Sequence, residues 1–251
     1  MEITWDNISI QQFKDIFNSK IENFNTVIEW KMEMISILYD IDFYEEMTDD
    51  MDVEELNQYY VGVNYITSSQ PSLNNITKLG DYYLKSFEEI TFGEFIDLDY
   101  FFKESYVDNL EIILAILFKQ KNIDSFGNES FEPYEYNPND RIHLFKDLMI
   151  NDVYGIIIKY INYKEKLYAI YKSVFFNDET IIEEDDDLSD LTGQERRQYL
   201  IDKKKEEQKA KYSWDIILDK LTNKDMTKED NILNMSAIRI FNKLSMLSLF
   251  E

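Results

Sequence analysis

The chain contains no cysteine and a single histidine, His143. Disulfides, cysteine-based zinc sites, cysteine nucleophiles and histidine-rich metal centres are thereby excluded. Only six glycines and three prolines occur in 251 residues. That scarcity disfavours turn-rich β-sandwiches and every glycine-loop nucleotide fold. Positive charge is also in short supply: 26 Lys and Arg face 50 Asp and Glu, a formal net charge of −24. Such a chain repels nucleic acid and anionic membrane over most of its surface, so neither stable nucleic-acid binding nor membrane association is expected. The longest apolar runs, Ile112–Phe118 and Ile156–Ile158, fall far short of the roughly 20 residues that span a bilayer. Met1–Asp6 has no basic n-region, which predicts that it is no signal peptide.

What the chain does have is core material. Hydrophobic residues make up 44% of it and aromatic residues 15%, which rules out general disorder. The predicted class is mainly α, a multi-helix bundle with one small antiparallel β-hairpin. Ser9 is placed to cap a helix carrying Ile10, Phe13, Ile16 and Phe17 at helical spacing. Further helices are expected over Glu22–Asp40 and Asp52–Ile66. Ile76–Lys85 holds two short β-prone runs around Gly80-Asp81, a two-residue hairpin turn. Thr91 and Glu94 form a capping box for a short helix with Phe95, Leu98, Phe101 and Phe102 inward and Asp97 and Asp99 outward. Asp108 starts a helix through Leu110–Phe118, apolar on nearly all sides and therefore central.

Residues 120–139 read as a long polar loop. Pro138 fits the first turn of a helix through Met149, and a longer helix is expected from Asp152 to about Phe176. Two helices close the chain, Trp214–Leu221 and Lys228 to about Leu249, with Thr227 capping the second. Three regions are expected: an acidic helical body over residues 1–176 with its hairpin near 76–86, an acidic linker over 177–193, and a charged helix with a C-terminal module over 194–251. Charge follows this division. Leu191–Glu251 holds 12 basic and 10 acidic residues, a net of +2, while the preceding residues hold 14 basic and 40 acidic, a net of −26.

No catalytic or metal-binding pattern emerges. A calcium loop needs alternating oxygens and a glycine at its sharp turn; the run Glu183–Asp187 is consecutive and lacks that glycine. Carboxylate pairs are unavoidable by chance among 50 acidic residues. His143 reads as a surface or partly buried histidine. Neither a G-x-S-x-G elbow nor a phosphate-binding G-x-x-x-x-G-K-[ST] loop is present. The expectation is a protein that is not an enzyme and carries no cofactor. The candidate interaction residues are Arg196, Arg197, Lys203, Lys204, Lys205, Lys209 and Lys211, on one charged helix, with Tyr134 and Tyr136. Those cations suit an acidic face on another subunit better than nucleic acid, because charge complementarity of this kind sets register and partner choice. Tyr59, Tyr60, Tyr82 and Tyr83 also sit in polar settings, as contact residues or as packing along helix edges.

Two stretches carry a resemblance. Ile90-Thr91-Phe92-Gly93-Glu94-Phe95-Ile96-Asp97-Leu98, followed by Ile112–Phe118, resembles a pattern in small virion-associated proteins of the neck and tail region of large tailed bacteriophages, including the crAss-like group. Tyr212–Asp215, Asp225–Thr227 and Leu233–Met235 resemble the end of the same proteins. The resemblance implies a non-enzymatic virion structural protein, a ring, tail-lining or packaged component made in the host cytoplasm. It would be partnered by portal, ring or tail proteins and by copies of itself. The alternative it implies is a tail assembly chaperone absent from the mature virion.

Overall fold

The computed structural model describes residues 3–41, 53–134, 138–175 and 213–247. The mainly helical class holds. The chain divides into two compact units, Met1–Phe87 with Asp97–Glu165, and Glu88–Ile96 with Lys166–Glu251.

The first unit opens with α1 (Ile10–Asn18). Ser9 caps it as expected: its hydroxyl accepts the Gln12 N–H at 3.1 Å while the Gln12 side chain accepts the Ser9 N–H at 3.0 Å. The next helix, α2 (Val27–Tyr39), starts five residues later than the apolar spacing predicts, because Thr26 supplies the cap and Ile21–Asn23 turns separately as a 3-10 helix. It ends at Asp40, whose φ is 53°. The α3 helix (Val53–Ser68) packs on α2 through the Tyr39 and Tyr59 rings, 4.7 Å apart. The helix α4 (Phe92–Ser105) begins in the second unit and enters the first at Asp97. The α5 helix (Leu110–Leu117) is central, with every residue buried except Ile112.

The α6 helix (Ile150–Ile170) continues the core through Val153, Ile156, Ile157 and Tyr160, all fully buried. A backbone bridge between Ser9 and Met149 ties the starts of α1 and α6 together. Residues 138–149 do not form the expected α-helix; Pro138–Leu144 is 3-10.

Two expectations need correction here. Asp99 does not face outward: it is buried and accepts from Lys103 and Lys164, each at 2.8 Å. The single hairpin is also too little. Strands β1 (Lys78–Leu79) and β2 (Tyr82–Leu84) do turn at Gly80, with φ 56°, but β3 (Phe118–Ile123) and β4 (Glu129–Phe131) extend them into an antiparallel sheet in the order β1-β2-β3-β4. The supposed 120–139 loop thus contains a second hairpin.

In the second unit, Thr91 and Glu94 form the expected capping box at the start of α4. Backbone hydrogen bonds from Phe92 to Met235 and from Ala237 to Ile90 bring that start against residues 235–237. Short α7 (Lys172–Phe175) follows a break after Ile170, α8 (Ser213–Thr222) ends in the left-handed pair Asn223 and Lys224, and the last predicted helix is two, α9 (Glu229–Leu233) and α10 (Ala237–Leu247). Thr227 is not the cap expected there. Asp225 accepts its N–H at 3.2 Å and its hydroxyl at 2.6 Å, starting a 3-10 turn at Met226. Phe92, Phe95, Tyr171, Phe175, Trp214 and Phe241 fill this unit with packed rings.

Candidate functional site: a lysine–aromatic face on the sheet

Five of the 14 basic residues that precede Leu191 lie on or beside the four short strands: Lys78, Lys85, Lys119, Lys121 and Arg141. Register explains their convergence. Tyr83 pairs with Lys78 on one side and Lys119 on the other, and Lys121 pairs with Phe131. Directly paired residues share a face, as do alternate residues along a strand. One face therefore carries Lys78, Tyr83, Lys119, Lys121 and Phe131 together.

The ammonium groups lie over the rings. Lys78 and Lys121 stand 4.8 and 5.1 Å from the Tyr83 centroid, and Lys85 and Lys121 each stand 5.7 Å from that of Phe131. The ring quadrupole attracts such cations. A hydrogen bond with Tyr83, and the attraction of its phenolic oxygen when ionised, hold the Lys78 ammonium above its usual range. Below the hairpin, Glu132 takes a charge-assisted hydrogen bond from Arg141 and lies 3.9 Å from the buried Lys119. Arg141 in turn sits over the Tyr82 ring. Burial makes this anchoring stiff, since each charged group is hydrogen-bonded or paired where water is excluded.

The β3–β4 hairpin runs on past the β1–β2 turn and ends in a built tip. Asp124 accepts the N–H groups of Phe126 and Asn128, each at 2.8 Å, and Gly127 supplies the left-handed φ of 82°. Hydrogen bonds from the Asn128 side chain and backbone hold the Asp124 carboxyl below its usual value. This ordered tip presents Ile123 at 69% exposure and Phe126 at 88%. Both side chains stand in water on a hydrogen-bonded support.

No family model, curated protein or solved structure matches the chain. What the face could do must therefore be argued from its own geometry. Among the described residues, no group of three or more His, Asp or Glu is set to hold a metal ion, and no helix is long and apolar enough to cross a membrane.

The expected interaction residues fare unevenly. Arg196, Arg197, Lys203, Lys204, Lys205, Lys209, Lys211 and Tyr136 lie outside the described residues. Tyr134 donates to Asp97 at 3.0 Å and is half-buried. Tyr82 and Tyr83 belong to the sheet, while Tyr59 packs on Tyr39 and Tyr60 lies under Lys31. Lys119, Lys121 and Phe126 were missed. Their signal was the alternation of Lys119-Gln120-Lys121-Asn122-Ile123 before Asp124 and Gly127, which marks a polar strand running into a turn.

Proposed function

We propose that this protein is a non-enzymatic assembly protein that works through protein–protein contact, with the β3–β4 hairpin and the lysine–aromatic face as its contact surface. The observation that carries this reading is Phe126, held almost fully exposed on a hydrogen-bonded tip. Burying a phenylalanine side chain contributes about 2 kcal/mol, a gain the tip can realise only against a partner. On the same face, the exposed Lys78 favours an acidic partner surface.

The more specific form of the proposal is a bacteriophage virion structural component of the neck or tail region, contacting portal, ring or tail proteins and copies of itself. The resemblance of Ile90–Leu98, Ile112–Phe118 and the 212–235 phrases supports that form. Quantitative mass spectrometry of purified particles tests it. Stoichiometric copy number is the expected result. Absence from particles, with the protein instead held by an unassembled tail protein, would favour a tail assembly chaperone.

A further inference from the structure

We infer that the outer face of α10 is a second contact surface, independent of the hairpin, and that it receives an acidic protein segment. Residues 231–250 contain no acid, in a chain where one residue in five is Asp or Glu. Arg239, Lys243, Met246 and Leu247 follow one another in this stretch at steps of four, three and one, which places all four on one side of the helix. All four are exposed, Met246 at 62%. The opposite side is fixed: Ala237, Ile240 and Phe241 are buried, and the Ala237 N–H donates to the Ile90 carbonyl at 3.0 Å. The four side chains therefore form one continuous strip on a held helix.

The two cations are available. Neither takes part in an ion pair among the described residues, unlike Lys119, Lys121 and Arg141 of the sheet. The helix itself offers them no partner. Three and four positions from each stand Met235, Ser236, Ile240, Asn242, Met246 and Leu247, or the other cation. Like charges four positions apart on a helix repel. Cations complement the helix dipole in the last turn, and neither lies there. A carboxylate brought from outside relieves that repulsion.

Charge and spacing together name what covers the strip. Arg239 and Lys243 are about 6 Å apart along the helix axis, with Met246 about 5 Å further on. A matching segment carries two carboxylates at that separation and an apolar side chain beyond them, as two glutamates four positions apart on a helix followed by leucine would. Nucleic acid would leave Met246 and Leu247 without a counterpart, and the net charge of −24 repels it. One helix face buries little area, so the contact is weak alone and weakens further with salt.

The probe is a short fluorescent peptide with two glutamates four positions apart and two leucines in the turn that follows. Anisotropy follows its titration into the full chain, and into a full chain in which Glu183–Asp187 are replaced by serine so that no acidic run competes for the face. Binding is expected to the second chain at least. Arg239→Glu with Lys243→Glu should weaken it about tenfold or more without lowering the thermal melt, and a peptide with lysines in place of the glutamates should then bind that double variant. Arg239→Gln with Lys243→Gln should weaken it too, which separates lost attraction from new repulsion. The same number of charges reversed elsewhere, Lys172→Glu with Lys220→Glu, should change affinity by no more than about twofold, because exposed charges further away are screened. Three results would overturn the inference: no binding to either chain, equal losses for the two reversed pairs, or single-stranded DNA binding the same face more tightly than the peptide.

Discussion

Asp124 grips Asn128 with both carboxylate oxygens: Oδ1 accepts the backbone N–H and Oδ2 accepts the side-chain amide, each at 2.8 Å. Charged acceptors make the stronger hydrogen bonds, so the fold favours the ionised carboxylate and depresses its pKa below the ordinary 3.8. The sign follows. The grip is complete above the unfolded value and is lost as pH falls through the lowered folded value. Amide exchange at Phe126 and Asn128 should therefore accelerate in that acid window. Asp124→Ala should show the same acceleration at neutral pH while leaving the global melt in place. Unchanged exchange at both amides in Asp124→Ala would show that the tip is held by something else.

Lys14 and Glu111 form an ion pair between α1 and the central α5, with both side chains nearly buried. Removing one partner leaves a charge without compensation in a largely buried setting. Glu111→Ala should cost about 3–5 kcal/mol, whereas replacing both partners with apolar residues of similar volume should be close to neutral. Urea denaturation of the two single variants and the double variant supplies the cycle. Strictly additive losses would mean that the pair is not coupled.

Local signals in the sequence were legible wherever one side chain decides the structure. Ser9, Thr91 and Gly80 each determine a cap or a turn through their own chemistry, and each does so in the fold. The apolar stretch Leu110–Leu117 likewise announces a central helix. What was not legible depends on partners distant along the chain. Asp99 reads as an outward acid because its helical neighbours are apolar, yet Lys164, 65 positions away in sequence, meets it in the interior. The polar run Gln120–Ile123 reads as a loop because the ring partners of Lys121, Tyr83 and Phe131, come from other strands. The candidate face is a product of strand register, and register is set by turns and burial together. The charged helix expected over 194–211 lies outside the described residues.

Gly155 and Gly62 separate two kinds of close approach. A Cβ on Gly155 would fall 2.2 Å from the Leu73 carbonyl oxygen and 2.6 Å from that of Asn74. That backbone is fixed to α6 by hydrogen bonds from Ile76 to Asp152 and from Ser72 to Asn151. A Cβ on Gly62 would meet the Tyr39 hydroxyl, the far end of a side chain, at 2.7 Å and the Ile3 Cβ at 3.1 Å, which needs to give by only a few tenths of an ångström. Alanine gains about 1 kcal/mol over glycine inside a helix. Overpacking costs roughly 1–3 kcal/mol and more where nothing yields. Gly62→Ala should therefore be nearly neutral, and Gly155→Ala should lower the melting temperature sharply. Equal melting temperatures for the two variants would contradict the fixed backbone at Leu73.

Phe241 is the hub of the second unit's ring cluster. It is fully buried, with the Phe95 ring centroid at 4.8 Å, Phe175 at 5.2 Å, Tyr171 at 5.6 Å, Phe92 at 6.2 Å and Trp214 at 6.3 Å. Edge-to-face pairs of this kind add about 0.5–1.5 kcal/mol each beyond area burial, so the residue's weight exceeds its size. The five neighbours come from α4, α7, α8 and the residue joining α6 to α7, and they cannot all collapse into the space that a truncation leaves. Phe241→Ala should thus cost about 3–5 kcal/mol, with the cavity preserved, and Phe241→Leu distinctly less. Trp214 reports directly on the cluster once Trp5 and Trp30 are replaced by Phe, and its fluorescence in a urea titration gives the number. A loss near 1 kcal/mol for Phe241→Ala would mean that the rings repack around the gap, which the fixed backbone pairing of Phe92 with Met235 and of Ala237 with Ile90 argues against.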